Sequence, residues 1–281
     1  MEMENSHVAL TLLRQCSSYF KMVYFIRTCP HVKLGDILHR FDDKVRESLS
    51  EIIGQNVGGD AWMRAGLSIK AGGLGLRHVV DHCSSAYLSS LSAAHDIFPQ
   101  ISLLSDSANS AVDHINERVS NEDKVVLGGY YYQNEVSASI DIEKARVLLS
   151  GLSPVERGKW VSLWGAGASA YLQGVPNIFL GTEMALKDFK VAIRVRLSLE
   201  LFVPGQCPEG SCLEFLDRWG DHALCCRCGG DLCSRHNAIA KCFYAECEAA
   251  SLQPKLKLSN MVPGTLKRPG DVVVSSFADC F

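Results

Sequence analysis

Cys207-Pro-Glu-Gly-Ser-Cys212 is followed, after nine further residues, by His222-Ala-Leu-Cys225-Cys226. This stretch divides the chain. Nine of the 12 cysteines lie in residues 207–281, and none lies in residues 84–206. A disulfide framework belongs to an oxidising compartment. The opening Met1-Glu-Met-Glu carries acids and no basic n-region, so it does not read as a secretory signal. Clustered cysteines with a histidine nearby then fit a metal better than disulfides.

Two close cysteines make one half-site, and a histidine with a cysteine four residues on makes the other. Thiolates and imidazole together satisfy tetrahedral zinc. The preferred set is Cys207, Cys212, His222 and Cys226, with Cys225, Cys228 and Cys233 competing for the fourth place. A Cys3His set leaves no open position, so it fits a structural site and not a catalytic one. The alternative is a group of reduced thiols beside a surface histidine. A redox pair at Cys225 and Cys228 lacks the βαβ surroundings of a thioredoxin-like site.

Working outward, the 281 residues suit one large domain or two to three small ones. Hydrophobic residues make up 47% and charged residues 21%, which excludes a wholly disordered chain. The net charge of −3 excludes a protein that binds nucleic acid by bulk charge alone. Residues 81–180 carry 6 basic and 11 acidic side chains, so the middle is a poor phosphate-facing surface. No run of 18 apolar residues suggests a transmembrane helix.

The first 95 residues read as helices. Val8, Leu12, Leu13 and Cys16 fall at helical spacing. Leu34, Ile37, Leu38, Phe41, Val45, Leu49 and Ile52 form a longer apolar stripe, separated by Pro30 from the preceding helix and ended by Gly54. Asp60 reads as the cap of a short helix bearing Trp62. Ala71-Gly-Gly-Leu-Gly-Leu76 lacks the spacing of either nucleotide-binding motif and reads as a tight structural turn. A helix fits 77–95. Further on, one helix fits 140–149, and Ser153-Pro-Val-Glu156 has the serine, proline and glutamate of a helix start. Residues 165–174 read as a connection. Thr182 reads as the cap of a helix reaching about Leu199, with Phe189, Ile193 and Leu197 on one side and Arg194 and Arg196 suiting its C-terminal dipole.

After the cysteines, a helix fits 236–249 and short strands fit 255–258 and 272–275. Lys267-Arg-Pro-Gly-Asp271 puts a carboxylate at the mouth of the second strand. Metal-dependent phosphodiester cleavage needs at least two oxygen ligands on a hard cation. Asp271 supplies one. The only later acid, Asp279, has no lysine beside it. Read by itself, Asp271 is an ordinary turn aspartate. Arg235 and His236, at the start of the preceding helix, are candidates for phosphate contact.

These stretches together resemble the C-terminal part of non-LTR retrotransposon polyproteins that end in a restriction-like endonuclease. Leu12-Leu-Arg-Gln-Cys16 and Tyr24-Phe-Ile-Arg-Thr-Cys-Pro30 resemble the region after the polymerase palm. Phe41-Asp42, Ala61-Trp62 and Gly72-Gly-Leu-Gly-Leu-Arg77 resemble the thumb and the segment C-terminal to it. Gly220-Asp-His222-Ala-Leu-Cys-Cys226 resembles the histidine half of that family's Cys-Cys-His-Cys zinc knuckle. Arg235-His-Asn237 and Arg268-Pro-Gly-Asp271 resemble the opening of its endonuclease. The resemblance covers nearly the whole chain in order, with residues 96–180 contributing least.

The departures are specific. No Tyr/Phe-x-Asp-Asp motif is present, and Asp42-Asp43 lies within the amphipathic stripe. The second acid and the lysine of the endonuclease pattern are missing. The expectation is a fragment that contacts DNA or RNA without catalysis, with Asp271 vestigial. Structural zinc is the cofactor, and magnesium belongs only to a complete nuclease site. Contacts to nucleic acid fall to Arg235, His236, Lys267 and Arg268.

The fold class expected is mainly α in the N-terminal two thirds, then a zinc knuckle, then a truncated α/β unit of restriction-endonuclease type. The divisions are 1–95, thumb-like; 96–204, helical linker; 205–233, knuckle; and 234–281, endonuclease-like. Exposed apolar helix faces would meet the missing palm or another protein. The family role implies a nuclear site of action. A zinc-stabilised protein-interaction module is the competing reading. A thiol or metal hydrolase is disfavoured, because no third group orients His222 or His236 as a base.

Overall fold

The computed structural model describes residues 5–98, 105–165, 167–229, 231–259, 264–265 and 270–274. The chain forms two compact units, Met1–Leu199 and Glu200–Phe281. The protein is mainly helical, with few strands. Among the described residues no helix is long and apolar enough to cross a membrane.

The first unit is built from helices α1 (Ser6–Leu12), α2 (Tyr19–Thr28), α3 (His31–Leu34), α4 (Asp36–Ile53), α5 (Gly59–Gly66), α6 (Val79–Ile97), α7 (Asp106–Asn116), α8 (Gln133–Ser150), α9 (Pro154–Ser162), α10 (Ala170–Gln173) and α11 (Leu186–Leu197). Helix α4 follows the predicted stripe from Leu38 on, whereas Leu34 falls on α3 and Ile37 is exposed. It buries Leu38, Val45, Leu49 and Ile52, and ends on Gly54 at φ +67°, a left-handed cap that glycine adopts without a Cβ clash. In α1 and the turn after it, the inward side chains are Leu10, Leu13 and Arg14. Leu12 and Cys16 are exposed, so the predicted stripe there is rotated by about one position.

The glycine turn is structural. The amides of Gly72, Gly73, Leu74, Gly75 and Leu76 all donate to carbonyls of residues 65–69. None is left to cradle a phosphate. A Cβ on Gly73 would lie 2.1 Å from the Leu67 carbonyl oxygen. Arg196, almost fully buried, donates from Nε to the Gly73 carbonyl at 2.8 Å and from Nη2 to that of Ile69. Arg194 donates to the Ile53 and Gly54 carbonyls, capping α4. These arginines stand in the last turn of α11, as expected, and also hold neighbouring segments.

Two predicted caps differ. Helix α5 starts at Gly59, with Asp60 inside its first turn. Thr182 donates to the Val175 carbonyl, closing a loop, and α11 starts later at Leu186. The capping box of α9 forms as the sequence suggests: Ser153 Oγ accepts from the Glu156 amide while the Glu156 side chain accepts from Ser153 N.

Asp42 has a role the sequence did not disclose. From α4 its carboxylate accepts the Val79 and Val80 amides at 3.0 and 3.1 Å, capping α6 from outside. Burial pushes its carboxyl above the usual value, against the pull of those amides. Helices α6 and α8 meet through a polar seam. His82 contacts Asp141 at 3.3 Å, Ser85 contacts Ser137 at 3.1 Å, and Lys144 pairs with Asp81. Burial opposes the Asp81 charge, but His78 and Lys144 outweigh it and hold the carboxyl far below its usual range.

The second unit carries β1 (Gly205–Gln206) paired antiparallel with β2 (Phe215–Leu216), a short helix α12 (Asp221–Cys225), helix α13 (Asp231–Ala249), and β3 (Pro254–Leu256) paired antiparallel with β4 (Val272–Val274). Helix α13 starts five residues before the predicted 236. The strand register pairs Lys255 with Val273.

Candidate metal centre

The β1–β2 hairpin presents the first half of the site. Cys207 follows β1, and its amide donates to the Glu214 carbonyl at 3.1 Å across the hairpin. Cys212 lies in the loop, its amide tied to the Glu209 carbonyl at 2.7 Å. Closing the hairpin therefore brings two cysteines five positions apart to the same end.

The second half is organised by Asp217. Its carboxylate accepts the amides of Trp219, Asp221 and His222 at 2.7, 3.1 and 2.7 Å. This folds the chain sharply before α12 and occupies amides that a helix start leaves unpaired. Burial raises the Asp217 carboxyl, but the His222, Asp221 and Trp219 amides together hold it below its usual value. Gly220, at φ +82°, makes the bend possible. His222 then stands at the start of α12. Cys226 follows one turn later, its amide donating to the His222 carbonyl at 2.7 Å.

The four side chains converge. One ligand atom from each of Cys207, Cys212, His222 and Cys226 lies within 4.8 Å of the others. Cys207 Sγ is 3.9 Å from Cys226 Sγ, and Cys212 Sγ is 3.4 Å from His222 Nε2. Ligands on a tetrahedral ion with sulfur at ~2.3 Å and nitrogen at ~2.0 Å stand roughly 3.8 Å apart sulfur to sulfur and roughly 3.5 Å sulfur to nitrogen. These two edges thus match such a site. The donor set is a Cys3His cluster that could hold a metal ion, and the single such group among the described residues.

The three cysteines are buried, whereas Cys225, Cys228 and Cys233 are exposed. The fourth place therefore goes to Cys226. Backbone amides favour thiolates here. At Cys226 the Cys228 amide foremost pulls the thiol down to about 7. At Cys212 the Glu214 amide favours the thiolate, but burial and the Cys207 and Cys226 sulfurs outweigh it and push the thiol up to about 12. A cation among these sulfurs would remove that mutual opposition. All described cysteines are free thiols.

The nuclease-like residues form a separate cluster. His236 on α13 meets Asp271, Nε2 to Oδ2, at 2.8 Å. Lys257 donates from Nζ to Asn237 Oδ1 and from its amide to the Asp271 carbonyl, each at 2.8 Å. Residues chosen from two separate motifs are thus neighbours. Arg235 is exposed on α13. Lys267, Arg268 and Asp279 lie outside the described residues. Sequence reasoning missed Asp217 and Lys257. Asp217, ahead of Trp219-Gly-Asp, carried the signal of an aspartate turn; Lys257 carried none.

No family model matches the chain, and comparisons with curated proteins and with solved structures also gave no match.

Proposed function

We propose that the second unit is a structural zinc module through which the chain contacts nucleic acid, in the manner of the retrotransposon knuckles its sequence resembles. The observation that carries the zinc assignment is the convergence of Cys207, Cys212, His222 and Cys226 within 4.8 Å. Three thiolates and an imidazole fill all four positions, so zinc here would staple the fold and leave no place for a substrate. Exposed Arg235 beside the His236–Asp271 pair supports the nucleic-acid side of the reading. So does the sequence resemblance, in which Lys267 and Arg268 are further candidate contacts.

The test has two stages. Metal analysis of the purified chain should find one zinc per chain, lost in Cys226→Ser. Titration of DNA and RNA against salt should then give binding that weakens steeply as salt rises and that falls in Arg235→Gln. Absence of zinc sinks the first half; salt-insensitive or undetectable binding sinks the second.

A second reading is favoured by one observation. Leu213, Phe215, Ile239 and Phe243 of the same unit are all more than half exposed. Apolar side chains held outward suit a protein partner. A zinc-loaded chain that ignores nucleic acid would support this module.

A further inference from the structure

The first unit contains a cavity of about 450 Å³ beside the glycine turn. Among the side chains lining it are the cations Arg14, Lys70 and Arg77 and the aromatics Tyr19 and Phe20; no carboxylate lines it. We propose that this cavity and the exposed face of α2 form a second nucleic-acid site, one for a single strand. A backbone phosphate sits against Arg14, Lys70 and Arg77 while a base stacks on Phe20.

Arg14 provides the anchor. Its Nη2 donates to the Leu172 carbonyl at 2.7 Å, which fixes the guanidinium plane. Its Nη1 is buried without a hydrogen-bond partner among the described residues. The guanidinium charge is thus held at the cavity wall, where no carboxylate of the lining neutralises it, and that favours an anion in the cavity. Burial also pulls the group below its usual value. Arg77 stands over the Tyr19 ring at 5.7 Å and reaches Asp141 only at 3.8 Å, so its charge is loosely countered. Lys70 is exposed at the rim.

The segment that supplies Arg14, Tyr19 and Phe20 to the cavity carries charge of one sign. Residues 5–35 contain Arg14, Lys21, Arg27 and Lys33 and not one Asp or Glu. On α2, Phe20 and Tyr24 are four residues apart, hence on one face, and are 65% and 73% exposed. Exposed aromatics interleaved with cations are the composition of a stacking platform along a charged groove. An apolar protein partner would explain the aromatics alone; it would not explain three cations around a cavity free of carboxylates. The cavity volume falls in the range of small-ligand pockets, which suits a single nucleotide unit and not a duplex. Because the amides of the glycine turn are already satisfied, side chains make the contact.

This proposal rests on the nucleic-acid reading given above but moves a contact to the other unit, and the variants separate the two. Anisotropy of short labelled oligo(dT) and oligo(rU) is measured with the full, zinc-loaded chain. Lys70→Glu and Phe20→Ala should each weaken binding by about tenfold, and Lys70→Glu should lower the salt slope by about one. Both positions are exposed, so melting temperatures should hold. The tighter of the two oligonucleotides identifies the strand chemistry. Unchanged affinity in both variants overturns the proposal; if Arg235→Gln still weakens binding, the knuckle reading survives alone. The reverse pattern leaves this site standing and removes the knuckle contact. Tighter binding to a duplex, or binding to neither strand, also overturns it.

Discussion

In the first unit, buried apolar side chains gather into four clusters, the largest running from Ala9 and Leu10 through Ile53 and Leu74 to Phe189 and Leu197. Among the described residues of the second unit the buried cluster is Cys207, Cys212 and Cys226. Helix α13 buries only Ala240 and Cys247 among its described side chains, although it spans Asp231–Ala249. One unit has a core in the ordinary sense; the other, in its described residues, has a Cys3His cluster where a core would be. Small units with little apolar interior rely on such staples. The two units should therefore fail under different insults.

The largest expected effect is metal removal. Zinc-finger peptides bind their ion with about 10–16 kcal/mol of apparent free energy near neutral pH, and that binding is folding. A strong chelator should abolish amide-exchange protection around α12 and β1–β2 while protection in α4 and α6 persists. Cys226→Ser should do the same, and Cys225→Ser, at an exposed thiol, should not. Persistence of the β1–β2 amides after chelation would break the comparison.

The converse insult is a cavity in the first unit. Ile53 is fully buried within the largest cluster. Ile53→Ala should destabilise that unit by about 2–5 kcal/mol, read from its denaturant midpoint. Zinc affinity should stay unchanged. Gly73→Ala belongs with it, since its Cβ would meet the Leu67 carbonyl oxygen at 2.1 Å and the turn would have to open. A shift in metal affinity from either variant would show that the two modes of stabilisation are coupled.

Acid gives a third contrast. Burial foremost, then Arg118 and His31, pulls His114 down to about 3. His31 is lowered by burial and Arg118, and His82 by burial against the opposing pull of Asp141. Such histidines are neutral when folded and protonated when unfolded below their ordinary pKa of roughly 6.5. Their contribution is full above that value and is lost as pH falls below it, for His114 down to about 3. Asp81, held low, adds a loss that sets in below roughly 4. Stability of the first unit should thus decline from pH ~6.5 downward, and His114→Gln should flatten the upper part of that slope. A flat profile between pH ~6.5 and ~4.5 would contradict the burial argument.

Legibility in the sequence followed the same division. The α4 stripe and its Gly54 stop could be read because one face is apolar and one residue adopts positive φ. Helix α8 could be read only in part, at 140–149, because its buried face includes Ser137 and Asp141. Their partners His82 and Ser85 lie on α6, which no local pattern reveals. Cys207, Cys212 and His222 could be read from spacing. The choice of Cys226 over Cys225 depends on burial, since Cys226 is buried and Cys225 exposed, which spacing does not reveal. The Asp42 cap on α6 spans 37 residues and has no signature in either segment.

The smallest effect concerns how local a contribution in the first unit can be. Helix α9 starts on the Ser153–Glu156 capping box with Pro154 in its first turn. It buries Trp160, whose Nε1 donates to the Ala71 carbonyl at 2.9 Å and whose ring lies under the Arg64 guanidinium at 4.4 Å. The helix is thus held at both ends, by a cap and by an indole that ties it to the glycine turn. Ser153→Ala removes the cap and should cost about 0.5–2 kcal/mol. Ser153→Asp restores an acceptor and should recover most of it. If the cap acts only locally, amide exchange should quicken in the first turn of α9 and stay slow at Trp160. If exchange quickens as far as Ala71, the cap also stabilises the glycine turn, and the first unit is more cooperative than its separate apolar clusters imply.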